Sequence, residues 1–185
     1  MLKRYIKNPI LLNLAEWAVA IGFAMILFFV ARTFVFRIAS VLGHSMEPSL
    51  SDGDVVILNR LSFFFSNPRV DDIVAFPSPG DTDMFYIKRI IAIPGDEIDF
   101  IDNSFYINGS RLGDPFSYYD VYRIAGSNWV DFPIIIEEGL YFVLGDNRNE
   151  SRDSRFVSVG NIPHNNMVGR VWIRIWPLSS FGRVR

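Results

Sequence analysis

The chain of 185 residues contains no cysteine. That absence excludes disulfide bonds, thiol catalysis and thiolate metal sites together. Histidine is scarce as well: His44 and His164 are the only two, far apart and without a His-x-x-x-His spacing, so no metal centre and no metal partner are expected. Residues 38–185 hold twelve arginines but a single lysine, Lys88. The same segment has no amphipathic helix of conventional length, and the chain shows no internal repeat or low-complexity stretch. Positive charge is in deficit there, with thirteen basic groups against nineteen acidic. An acidic domain is a poor partner for nucleic acid or for anionic lipid, so any contact with a membrane surface has to be apolar. Phe63, Phe64, Phe65, Trp129, Trp172 and Trp176 are the candidates to supply it, with core packing as the alternative for each.

Half of the residues are hydrophobic and 15% are aromatic, ample for one core and consistent with one globular domain. Ahead of that domain lies one long uncharged apolar run, Trp17 to Ala31. With its flanks it reaches about 20 residues, the length of a helix that spans a bilayer. We therefore divide the chain into a stub and membrane anchor over 1–37 and a domain over 38–185. A cleaved secretory signal is the competing reading, because Lys3, Arg4 and Lys7 precede the apolar run. Against it, the run is long for such a segment and its exit, Arg32 to Arg37, lacks small-x-small residues. Three basic residues before the span and two after it favour a cytoplasmic N-terminus by a small margin.

Beyond residue 37 the pattern shortens to apolar runs punctuated by turn residues. Val55–Leu58, Asp72–Phe76, Met84–Ile93, Glu97–Ile101, Ser104–Ile107, Ile134–Ile136, Leu140–Leu144 and Met167–Trp176 read as strands. The expected fold is mainly β, one N-terminal transmembrane helix followed by a single domain of mostly antiparallel β-sheet. Asn108-Gly109 is the strongest hairpin signal, and Pro77–Asp81 and Pro94–Asp96 are further turns. Residues from about 102 to 132 form an excursion from that sheet, its later part poorly periodic and rich in Gly, Pro, Ser and Tyr.

The chemistry centres on the lone lysine. Lys88 sits in the apolar frame Phe85-Tyr86-Ile87-Lys88-Arg89-Ile90-Ile91. Arginine is the better residue for a permanent surface charge, whereas a lysine stripped of water loses its proton and can serve as a base. Its ordinary pKa is near 10.4, so action near neutrality requires the ammonium to be destabilised by about 3 to 4 kcal/mol. Ser45, in Gly43-His44-Ser45-Met46-Glu47-Pro48, lies in a tight loop that presents a hydroxyl. A serine and a neutral lysine together can perform acyl transfer. The plain alternatives are a turn hydroxyl for Ser45 and an edge-strand charge for Lys88. His44 adjoins Ser45, and neighbouring side chains diverge, so it is read as a bystander; His164, after Pro163, is read as a surface turn residue.

Three ordered segments, Ser45-Met46-Glu47-Pro48-Ser49-Leu50, Tyr86 to Asp96 and Gly145 to Arg155, resemble the boxes of bacterial type I signal peptidases. Asp52-Gly53-Asp54-Val55-Val56 and Val168-Gly169-Arg170 extend the likeness almost to the C-terminus. The resemblance implies a β-rich domain outside the cytoplasmic (inner) membrane, anchored by a single pass, that cleaves signal peptides from exported preproteins without a cofactor. It implies Ser45 as nucleophile and first oxyanion donor through its N–H, and Lys88 as general base. Ser151 matches a serine that orients the lysine amine, and Asp153 and Arg155 match a supporting ion pair. Without the resemblance these would be a polar loop with a surface salt bridge worth about 0 to 1 kcal/mol. Gly145-Asp146-Asn147 reads as the turn that carries this loop. Val41, Met46, Leu50, Tyr86 and Ile87 match positions lining shallow apolar pockets for small residues at −1 and −3 of an extended substrate. Gly43 stands where some members supply a serine hydroxyl to the oxyanion hole, so backbone or water has to complete it. The rival readings are a self-cleaving Ser/Lys regulator, a tethered β-domain that binds peptides without cutting them, and a Ser-His hydrolase using His44 or His164.

Overall fold

The structure, a computed structural model, describes residues 9–30, 35–113, 121 and 128–184. These fall into two compact units that meet in sequence between Phe36 and Arg37. The first unit is the helix α1 (Pro9–Val30), 22 residues long, with Glu16 as its one charge and apolar side chains on every side. Among the described residues no helix is long and apolar enough to cross a membrane.

The second unit is built from antiparallel strands. They are β1 (Phe36–Ser40), β2 (Val55–Asn59), β3 (Ile73–Ser78), β4 (Asp81–Ala92), β5 (Glu97–Ile101), β6 (Ser104–Ile107), β7 (Ser110–Arg111), β8 (Ile134–Ile135), β9 (Leu140–Leu144), β10 (Ile162–Pro163), β11 (Gly169–Trp176) and β12 (Gly182–Arg183), with one short helix, α2 (Ser62–Phe65). The domain is mainly antiparallel β, as expected, and its strands divide between two sheets. Eight strands run β1-β2-β11-β3-β4-β9-β10, with β12 beside β11, and four run β7-β6-β5-β8. The second sheet forms because the chain turns at Pro94–Asp96 and β5 pairs with β6 and with β8 rather than with β4. Asn108 and Gly109, both with positive φ, close the β6–β7 hairpin as that dipeptide predicts. Of the expected excursion, residues 114–120 and 122–127 lie outside the described residues.

Period-2 alternation explains how the large sheet is buried on both faces. On β3, Ile73 and Ala75 join Val41, Met46, Leu50, Leu58 and Ile87 in one cluster, while Val74 and Phe76 join Ile90, Tyr141, Val143 and Met167 in another. A third cluster fills the space beside the small sheet, where Phe105, Trp129, Ile136, Phe142 and Leu144 meet. Trp129 is therefore a core residue, and Phe63 packs partly into the second cluster. Phe64 and Phe65 are more than four-fifths exposed, and Trp176 is exposed too.

Register decides what lies beside Lys88. Val74 of β3 faces Lys88, so β4 is an interior strand and Lys88 is not an edge charge. On the other side Arg89 pairs with Leu144 and Ile90 with Val143. That register brings Gly145, the first residue past β9, level with Lys88.

Candidate active site

The Ser45 loop is shaped by its own backbone and by two buried anchors. Gly43, at φ +80°, turns the chain, and its N–H donates to Asp52 Oδ1 at 2.7 Å. Leu50 N–H donates to Met46 O at 2.9 Å, closing a turn around residues 46–50. Met46 and Leu50 are buried in the core, which holds Ser45 half-buried at the rim while His44 points outward.

Across from it, Lys88 is 4% exposed and its Nζ donates to Ser45 Oγ at 2.7 Å and to Ile87 O at 3.0 Å. The Tyr86 ring centroid lies 5.2 Å from the amine. Burial pushes the Lys88 pKa down from 10.5 to about 8; the charges of Asp153 and Asp146 pull the other way and Arg155 assists the fall. Desolvation wins because the carboxylates that would hold the ammonium are already spoken for by arginines. An amine with this pKa is neutral in a large share of molecules at slightly alkaline pH, and its lone pair can take the hydroxyl proton of the serine it touches.

Asp153 and Arg155 form a bidentate pair, Nε to Oδ1 at 2.7 Å and Nη2 to Oδ2 at 2.8 Å. Both side chains are almost fully buried, so the pair is internal rather than a surface salt bridge. The remaining valences are used: Asp153 Oδ2 accepts Gly145 N–H at 3.0 Å, and Arg155 Nη2 donates to Arg148 O at 2.6 Å and Ser151 O at 3.2 Å. Arg148 Nε in turn donates to Gly145 O at 2.7 Å. Loop 145–155 is thus cross-braced by its own residues, and its guanidinium stacks 4.9 Å from the Trp129 ring.

Gly145 is a place of close approach, not only a turn residue. A Cβ there would collide with Ser151 Oγ and with the Ser45 carbonyl oxygen, which accepts Asn147 N–H at 3.1 Å. The missing side chain is what lets the loop touch the Ser45 main chain. Ser151 Oγ is buried there without a hydrogen-bond partner, so the expected bond from the lysine amine to Ser151 is not formed.

A second buried pair went unnoticed in the sequence. Arg89 holds Asp146 through Nε to Oδ1 and Nη2 to Oδ2, both 2.8 Å, and also donates to Ser49 Oγ at 3.2 Å and Asp71 O at 3.1 Å. It joins β4 to the Ser45 loop and to the turn after β9. The only local signal was a second cation in the apolar frame beside Lys88.

Of the five residues matched to pockets, Val41, Met46, Tyr86 and Ile87 line a groove of about 230 Å³ that also contains Ser45 and Lys88. Leu50 does not reach it and is core alone, with no exposed surface. The Gly43 N–H is engaged by Asp52 and is not free for an oxyanion. His44 Nδ1 lies 2.9 Å from Glu47 Oε1, and that bond raises its pKa. His164 stacks edge-on against Phe63 at 6.2 Å, remote from the serine in its contacts. No group of residues able to hold a metal occurs among the described residues.

The chain is also similar to known proteins. The family model described as signal peptidase, peptidase S26, matches residues 14–176. Signal peptidase IB of Staphylococcus aureus strain N315 is 33% identical over 181 residues, 91% of this chain and 93% of its own. A probable signal peptidase I-2 of a Synechocystis species is 35% identical over 166 residues, 86% of this chain and 72% of its own. Among solved structures, a signal peptidase I from Enterococcus faecalis is 32% identical and covers 57% of this chain and 97% of its own, with a TM-score of 0.45.

Proposed function

The chain belongs to the type I signal peptidase family, peptidase S26, whose members are serine peptidases that cleave signal peptides, and we propose that Ser45 is its nucleophile and Lys88 its general base. The observation that carries this reading is the 2.7 Å contact between Lys88 Nζ and Ser45 Oγ, made by an amine that burial has brought to a pKa of about 8. Neutral Lys88 takes the hydroxyl proton as Ser45 Oγ attacks the scissile carbonyl. The resulting ammonium gives that proton to the departing amine, and a peptidyl ester on Ser45 remains. Lys88, neutral again, then deprotonates the water that hydrolyses the ester. Ser45 N–H stabilises the oxyanion, with backbone or water as the second donor. His44 is turned to Glu47, which speaks against a histidine base.

Ser151 retains the orienting role in this scheme. Its hydroxyl is buried, unpartnered and packed beside the Ser45 main chain across Gly145, so it is free to take the amine once Ser45 Oγ turns to the substrate. The Asp153–Arg155 pair holds the loop that carries it. The substrate is a signal peptide of an exported preprotein, lying extended with small residues at −1 and −3 against Val41, Met46, Tyr86 and Ile87. A groove of about 230 Å³ suits such residues and turns larger ones away by steric exclusion.

The reading includes a bilayer anchor. Its support is the sequence, the uncharged apolar run Trp17 to Ala31 with its flanks. A helix apolar on all sides needs lipid or protein around it. The single pass then leaves the β domain on the extracytoplasmic face of the cytoplasmic membrane.

The test is cleavage of a preprotein by Ser45→Ala, Lys88→Ala and the double variant. Each single change abolishes cleavage and the double adds nothing, because the two act as a unit. Lys88→Arg fails as well, since a guanidinium stays charged. An active, folded Lys88→Ala enzyme overturns the assignment.

A further inference from the structure

The groove assigned to the upstream part of the substrate has a larger neighbour. His44 and Glu150, which border that groove, also border a cavity of about 650 Å³ whose other walls include Glu47, Asn147 and Asn149. Nothing in the cleavage scheme above uses this cavity. A peptide whose scissile carbonyl sits at Ser45 Oγ, with its upstream residues against Val41 and Ile87, has to continue past the residues that the two spaces share. We propose that the 650 Å³ cavity receives the first residues downstream of the scissile bond, and that Glu47 and Glu150 make it discriminate against acidic side chains there. This inference rests on Ser45 being the nucleophile.

Charge in the cavity follows from the partners of each group. Asp146 also lines it, but its carboxylate is held by Arg89 in a buried bidentate pair and contributes little field. Glu47 and Glu150 remain, and His44, bonded to Glu47, is the one basic residue in the lining. His44 supplies at most one positive charge against two carboxylates, so the cavity is negative at every pH at which both are ionised. Arg152 borders the smaller groove and not the cavity; its bonds to the neutral Ser158 Oγ leave its charge in place, so the negative field weakens toward that groove. The Asn147 amide at the cavity wall supplies neutral donor and acceptor groups, which suits an extended peptide main chain. An incoming lysine side chain is attracted and a glutamate repelled; because Glu47 and its partner His44 are about half exposed, each interaction is modest.

The experiment compares two preprotein substrates identical except for Lys or Glu at the second residue after the cut. The quantity read is the ratio of their kcat/KM values, which is internal to each variant and therefore insensitive to a partly folded preparation. Wild type favours the Lys substrate by about tenfold at low salt, from two weak attractions set against two weak repulsions. Glu47→Gln and Glu150→Gln each reduce the ratio, and the double variant brings it close to one. Glu137→Gln, on the exposed surface after β8, retains the wild-type ratio. A wild-type ratio of one, an undiminished ratio in the double variant, or an equal fall in Glu137→Gln overturns the assignment of the cavity. Failure of the underlying reading looks different, because it is cleavage by Ser45→Ala itself that overturns the nucleophile.

Discussion

Replacing Lys88 by methionine should make the protein more stable at neutral pH and less stable at high pH. The amine falls from 10.5 to about 8 on folding, and each pKa unit is worth about 1.4 kcal/mol. The full difference is therefore about 3 kcal/mol. Below pH 8 the lysine is protonated in both states, and the folded state bears the whole cost of a desolvated ammonium. Between pH 8 and 10.5 the unfolded chain still binds the proton that the folded chain has lost, so stability rises with pH. Above 10.5 the amine is neutral in both states and the cost is gone. Lys88→Met removes this cost and also removes the bonds to Ser45 Oγ and Ile87 O, worth about 1 kcal/mol each. The variant should gain about 1 kcal/mol at pH 7 and lose about 2 kcal/mol at pH 10.5. Urea unfolding of wild type and variant in the same detergent micelles, at both pH values, measures the difference, in which all other titrations cancel. A difference between the two proteins that does not change with pH would refute the claim that Lys88 is desolvated.

Four further outcomes follow from the packing around the site. Gly145→Ala forces the Ser45 carbonyl and Ser151 apart, and a displacement of about 1 Å at the nucleophile should slow single-turnover acylation about 100-fold with the fold retained by circular dichroism; an unchanged rate removes Gly145 from the account. Arg89→Met leaves Asp146 buried and unpaired, which should cost about 3 to 5 kcal/mol in urea unfolding, and adding Asp146→Leu should recover most of it. Ser151→Ala should lower the acylation rate without lowering stability, because its hydroxyl has no partner to lose. Ser154→Ala should do the reverse, since Ser154 Oγ accepts Val143 N–H at 3.0 Å inside the core; equal acylation by Ser151→Ala and wild type takes Ser151 out of the site.

How far the site could be read in advance depended on the range of the interaction. Lys88 was conspicuous because a single amine among twelve arginines, set in an apolar frame, is a local signal, and the hydroxyl of Ser45 was marked by its tight loop. Its place on an interior strand was not visible, because whether β4 is an edge depends on β3 and β9 both reaching it. The Arg89–Asp146 pair joins residues 57 apart in sequence and exists only in the register that pairs Arg89 with Leu144. Gly145 looked like one more turn glycine, since nothing local reveals that two other segments fill the place of its side chain. The strands were legible from alternation and turn chemistry, as Asn108-Gly109 illustrates, but their division into two sheets rests on long-range pairing that alternation does not encode. Leu50 shows the same limit on a smaller scale: an apolar residue near the nucleophile serves the core or the groove according to which way the loop is rolled.

The measurement that bears most directly on the lysine as base is the pH profile of single-turnover acylation in wild type, His44→Ala and His164→Ala. The account predicts one rising limb near pH 8, the value to which burial brings Lys88, with the same midpoint in all three proteins. A limb near 6.5 that disappears in either histidine variant would contradict it.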